Sequence, residues 1–91
     1  MLTLLIDTNV LLDVVLARGQ RGIDGASLLS AIELRRANGH VASHAITTVH
    51  YIVTKERDAA TARLAVTHIL RLLSVIPLGT NDFHTAVALD M

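Results

Sequence analysis

Leu4-Leu5-Ile6-Asp7-Thr8-Asn9-Val10-Leu11-Leu12-Asp13 is the stretch on which the reading of this chain turns. Leu2 to Ile6 is a short, nearly continuous apolar run that stops at the polar triplet Asp7-Thr8-Asn9. Such a run suits a β-strand buried on both faces, since a half-exposed strand would alternate. From Val10 to Ala17 the chain is apolar again, with one carboxylate at Asp13, until Gly19 breaks the pattern. That predicts a short helix starting near Thr8 or Asn9.

Working outward, Asp24 is placed to cap a second helix running through Asn38, with Leu28, Leu29 and Ile32 inward, Arg35 and Arg36 in its last turn and Gly39 just beyond. Val41-Ala42-Ser43 reads as a second strand, with Ser43 capping a helix as far as Lys55 whose inward stripe includes Ile46, Val49 and Val53. Asp58 caps a longer helix in which Ala62, Val66, Ile69, Leu70 and Leu73 recur at helical spacing. Ser74 to Leu78 is a third strand, and Gly79-Thr80 turns into a last short helix carrying Phe83 and Val87. Strands alternating with helices predict an α/β fold with a parallel sheet covered on both faces. No linker, repeat or low-complexity tract divides residues 1–91, which read as a single domain.

The composition narrows the function. With 91 residues there is room for one small domain, and 52% hydrophobic content with a mean hydropathy of +0.51 excludes a disordered tail. One Tyr and one Phe make a base-stacking platform for single-stranded nucleic acid a poor reading. Eight Lys and Arg balance eight Asp and Glu, so no global basic field captures a polyanion and any phosphate contact is local. The absence of cysteine removes disulfides, thiolate metal sites and a cysteine nucleophile, and fits a reducing compartment. Asp7 and Asp13 interrupt the apolar N-terminus, and His68 and Arg71 break the stretch from Leu64 to Leu78. The reading is therefore a soluble, cytoplasmic chain without a membrane span.

In a parallel α/β sheet the ligand crevice lies beyond the carboxyl ends of the strands, which points to Asp7 to Asn9, Ser43 and His44, and Gly79 and Thr80. Asp7 is the only carboxylate at a strand end. It can anchor a hard divalent cation, or it can cap the first helix, and the residues alone do not separate the two. Asp13, four residues after Asn9, shares a helix face with it and can support such a site, although a surface carboxylate is the commoner meaning. The histidines have no helical ligand spacing and read as packing or surface residues. Arg35, Arg36, Lys55, Arg57, Arg63 and Arg71 read either as a rim for RNA phosphates or as solvated helix faces. There is no glycine-rich phosphate loop, which disfavours a nucleotide-binding α/β domain, and no Asp-x-Asp pair after the first strand.

The opening stretch closely resembles that of PIN domains, and so do Val41-Ala42-Ser43-His44-Ala45-Ile46-Thr47-Thr48-Val49-His50-Tyr51 and Ser74-Val75-Ile76-Pro77-Leu78. The resemblance runs over essentially the whole chain and implies a three-layer α/β/α fold with strand order three-two-one-four-five. It further implies a Mg²⁺- or Mn²⁺-dependent ribonuclease, many of whose prokaryotic members are VapC-like toxins neutralised by a protein antitoxin. By that match Asp7 is the first metal-binding acid, Asp13 a supporting one, and Asn9 a residue holding Asp7 or a metal-bound water. Thr48 stands where the family usually places a second acid, since Ser43 to Lys55 contains no Asp or Glu.

PIN domains normally continue for about forty residues beyond Leu89-Asp90-Met91, in keeping with a usual domain size of ~100–150 residues. The expectation is thus an incomplete PIN-like domain of about three strands, with strand one as an edge that invites a homo-oligomer. Two functions follow: a toxin ribonuclease cleaving RNA phosphodiesters, or a catalytically inactive PIN fragment serving as a protein-binding or dimerisation module.

Overall fold

The computed structural model describes residues 2–77. Its elements run in the order β1 (Leu2–Leu5), α1 (Thr8–Val15), α2 (Gly19–Glu33), β2 (Ala37–Ala42), α3 (Ser43–Glu56), α4 (Ala59–Leu72) and β3 (Ser74–Ile76). The three strands form a parallel sheet in the order β1-β2-β3, with β2 in the middle. This is the expected α/β arrangement and the expected three-two-one strand order. The predicted turn at Gly79-Thr80 and the helix with Phe83 and Val87 lie outside the described residues.

The apolar periodicities place the core. Leu11 of α1, Val41 of β2, and Val49 and Val53 of α3 are fully buried, joined by Ile6, Ile32, Ala45, Ala62, Ile69 and Leu73. Each large aliphatic side chain so buried contributes about 1.5–3 kcal/mol relative to leaving it in water. The α3 stripe is as the spacing predicts, with Ile46 half-buried beside Val49 and Val53. On α4, Leu70 departs from its predicted place and is 51% exposed. At 3.6 residues per turn it sits about 80° round the helix from Ala62, at the border of the stripe that Ala62, Ile69 and Leu73 define.

Strand β1 is less buried than an unbroken apolar run suggests: Leu2 is 57% exposed and Thr3 to Leu5 are half-buried, while Ile6, one residue past the strand, is in the core. The reason is position, since β1 is an outer strand of the described sheet.

The second helix and second strand are shifted from their predicted bounds. Helix α2 begins at Gly19, so Asp24 lies inside it, where its carboxylate accepts a hydrogen bond from Gln20 Nε2 at 2.9 Å. It ends at Glu33, through the paired bonds Arg35 N–H to the Ile32 carbonyl and Arg36 N–H to the Ala31 carbonyl, both 2.9 Å. These are the two bonds of a Schellman turn, and Arg35 takes the left-handed position with φ 61° that glycine usually fills. Gly39 is therefore no helix stop but a residue of β2. A Cβ there would collide with the Leu73 side chain and come within 2.7 Å of Ile32 Cδ1. Its missing side chain lets the central strand approach those two residues.

Candidate functional site at the carboxyl edge of the sheet

The parallel register pairs Leu5 with His40, and the Ile6 N–H donates to the His40 carbonyl at 2.7 Å. Continuing that register sets Asp7 beside Ala42 and Thr8 beside Ser43. Helices α1 and α3 thus start side by side at the carboxyl ends of β1 and β2, with Asp7 and Ala42 as their N-cap residues. Ser43, predicted as the cap of α3, is its first helical residue instead. Neither N-cap makes a side-chain capping bond. For Ala42 that follows from the absence of a polar side chain; for Asp7 it is informative.

Asp58, at the start of α4, shows what a capping aspartate does in this fold: its Oδ1 accepts the Thr61 N–H at 2.6 Å. That amide, with the Thr61 side chain, the Ala60 amide and Arg57 adding to it, holds the Asp58 carboxyl below the usual carboxylate range. At Asp7 the backbone carbonyl takes the Val10 and Leu11 amides at 3.1 and 3.3 Å. The Asp7 carboxylate itself has no hydrogen bond or ion pair among the described residues. Of the two readings of Asp7, capping is absent and an unengaged, exposed acid at a strand end remains.

That carboxylate borders a pocket of about 330 Å³ lined by Leu5, Ile6, Asp7, Thr8, Ala42, His44 and Ala45. The Thr8 and Asn9 amides that open α1, and the first amides of α3, lie at this end of their helices without intrahelical acceptors, as in any helix start, so the local field favours anionic groups such as phosphate. His44 is exposed on the first turn of α3. It is a residue that the strand-end argument indicates and that histidine spacing passes over.

The other predicted site residues are placed further off. Asn9 is exposed on the first turn of α1. Asp13 is six residues along from Asp7, about 9 Å at 1.5 Å per residue. Its side chain is 11% exposed and pairs with Arg18 at 3.7 Å, and Arg18 also reaches Glu56 at 3.3 Å. Together with the Arg57 guanidinium, which donates to the Leu16 carbonyl at 3.4 Å, this pair joins the end of α1 to the end of α3. Thr48 is one turn beyond His44 on α3, and its hydroxyl donates to the His44 carbonyl at 3.0 Å. It does not line the pocket that holds Asp7.

The basic residues do not gather at Asp7. Arg35 and Arg71 line a different pocket, with Ala37 and Asn38 at the amino end of β2, Ser74 at the amino end of β3, and His40. Lys55 and Arg57 sit at the far end of α3 from the Asp7 pocket. A larger concavity, about 570 Å³ between α1, α2 and α4, is walled by Leu11, Val15, Leu29, Leu64, Ile69 and Leu72 among others. It is too apolar for phosphate chemistry.

Among the described residues no group of three or more His, Cys, Asp or Glu side chains converges. A hydrated divalent cation can nonetheless be held by one or two carboxylates when water and substrate phosphates complete its shell. Asp7 has the charge, the exposure and the free oxygens for that limited role.

The family model described as PIN domain matches residues 3–91 of the chain. PIN domains are a nuclease domain family that binds RNA and is generally dependent on divalent metal. No curated protein and no solved structure gives a match. No helix among the described residues is long and apolar enough to cross a membrane.

Proposed function

We propose, since this chain belongs to the PIN-domain family, that it is a divalent-metal-dependent endoribonuclease acting in the cytoplasm as the toxin of a toxin–antitoxin pair. The observation that carries the reading is Asp7, an exposed N-cap residue whose carboxylate makes no capping bond and which lines the pocket at the carboxyl edge of the sheet. Asp7 binds Mg²⁺ or Mn²⁺, Asn9 orients what Asp7 holds, and Asp13 keeps α1 in place through Arg18. When bound, the cation supplies Lewis acidity, lowering the pKa of water and offsetting charge on the phosphate. The helix-start amides favour the scissile phosphate at the same edge. Thr48 acts on this site through His44, whose carbonyl it engages.

An antitoxin segment with an apolar face is accommodated by the groove between α1, α2 and α4. The outer position of β1 in the sheet of the described residues, with Leu2 exposed there, supports pairing between copies of the chain. A second reading, a catalytically inactive module for protein binding or dimerisation, is favoured by the missing acid cluster among the described residues. One experiment separates the two: cleavage of a labelled single-stranded RNA by the purified chain with Mn²⁺ or EDTA, with Asp7→Asn prepared identically. Metal-dependent cleavage lost in Asp7→Asn is the expected result. Equal background in both proteins refutes the enzyme reading and leaves the binding module.

A further inference from the structure

Besides Asp7 and the weakly donating hydroxyl of Thr8, the residues lining this pocket include one with a strong metal-ligating side chain, His44. The two come from adjacent strand ends: β1 delivers Asp7 as the N-cap of α1, and β2 delivers His44 on the first turn of α3. Both side chains are exposed, and neither has a hydrogen bond or ion pair among the described residues. In contrast, Thr48 and Asp13, two other polar residues considered for this site, are engaged at 3.0 Å with a backbone carbonyl and at 3.7 Å with Arg18, while Asn9 is exposed on α1 and does not line the pocket. Among the residues lining this pocket, the strong metal-ligating side chains are therefore one carboxylate and one imidazole.

We propose that His44 is a second protein donor to the cation held by Asp7, and that the pair selects a first-row transition ion such as Co²⁺ or Zn²⁺ over Mg²⁺. The inference rests on the reading of Asp7 as a metal ligand given above. Its chemistry is the mismatch between imidazole and Mg²⁺. Mg²⁺ demands oxygen ligands in near-octahedral geometry and gives up water reluctantly, whereas imidazole nitrogen suits Co²⁺ and Zn²⁺, which also accept carboxylate oxygen. With a single carboxylate among the described donors here, the nitrogen decides which ion binds best. The Mg²⁺ affinity left to the site then comes from Asp7 and water alone.

The test is a titration of the full chain with Co²⁺ and, separately, Mg²⁺, without RNA, following ring-proton NMR signals of each histidine. The variants are Asp7→Asn, His44→Ala and the double substitution. His44 is exposed and unengaged, so His44→Ala leaves the fold intact, which the remaining histidine signals check. The expected result is a Co²⁺-induced shift at His44 before any at His40, His50, His68 or His84. Co²⁺ affinity falls about tenfold or more in either single variant, with no further loss in the double one. Mg²⁺ affinity is changed by Asp7→Asn and not by His44→Ala.

Co²⁺ affinity that survives His44→Ala overturns the proposal, as does an equal loss of Co²⁺ and Mg²⁺ affinity. So does weaker RNA binding in EDTA with Co²⁺ binding unchanged, which makes His44 a phosphate contact instead. The outcome is separable from the nuclease reading. Metal-dependent cleavage together with Co²⁺ affinity unchanged in His44→Ala keeps the enzyme and rejects His44 as a ligand. Coupled Co²⁺ binding at Asp7 and His44 without cleavage under any ion does the reverse.

Discussion

Replacing Asp7 by Ala, beside the same change at Asp58, tests whether the Asp7 carboxylate is a structural cap or is held free for chemistry. An aspartate that caps a helix typically costs about 1 kcal/mol when changed to Ala, because an N–H of the first turn loses its acceptor. The Asp58 carboxylate makes that bond, to the Thr61 N–H at 2.6 Å; the Asp7 carboxylate makes none. What remains at Asp7 is the attraction of a surface anion to the start of α1, about 0.3–0.5 kcal/mol at low salt. For a domain of this size 1 kcal/mol corresponds to about 4–8 °C in Tm. Asp7→Ala is therefore expected to lower Tm by no more than about 4 °C, a difference that salt screens further. Asp58→Ala is expected to lower it by clearly more. Thermal unfolding followed by circular dichroism on the three proteins in one buffer reads both. A drop for Asp7→Ala that equals or exceeds the drop for Asp58→Ala refutes the argument, since it would show Asp7 stabilising α1 by an interaction that the free carboxylate excludes.

Two further outcomes follow from named contacts. The Thr61 amide, foremost among several causes, lowers the Asp58 pKa in the folded chain, so the sign of its pH effect is fixed. Its stabilisation is complete above the ordinary aspartate value of about 3.9 and is lost as pH falls through the lower folded value. Thermal melts on wild type and Asp58→Asn, which keeps a cap acceptor without titrating, should show the wild-type advantage shrinking below about pH 4; an advantage that grows on acidification contradicts the assignment. Gly39→Ala should destabilise the fold by about 1–3 kcal/mol, the usual range for overpacking, because the new Cβ meets Leu73 and Ile32 at the centre of the sheet. Urea denaturation checks it, and an unchanged midpoint would mean that those side chains yield freely.

Much of this fold was legible one element at a time, where a local signal had no competitor. Asp58 stands before a run with clean helical spacing, and it caps α4 as read. The boundary between α2 and β2 was not legible, because glycine carries two meanings. At Gly39 a helix stop and a close approach look alike in a sequence, and only the positions of Leu73 and Ile32 distinguish them. The helix stops instead at Glu33, where Arg35, two residues on, adopts the left-handed turn usually filled by glycine. Leu70 was misplaced because a stripe read at whole-residue spacing has soft borders, and α4 turns that residue outward.

The chain by itself determined which residues reach the carboxyl edge of the sheet. An apolar run ending at Asp7, and a second ending near Ser43 and His44, suffice for that, because parallel strands present the same end to the same edge. Tertiary structure alone decided what those residues are free to do. Whether a carboxylate caps a helix or stays open depends on a few torsions at Asp7, and whether Asp13 faces the site or an arginine depends on where the turn after α1 brings Arg18. Arg18 is in turn held by Glu56, 38 residues on at the end of α3, a partner set by packing between distant segments that no local pattern of residues encodes.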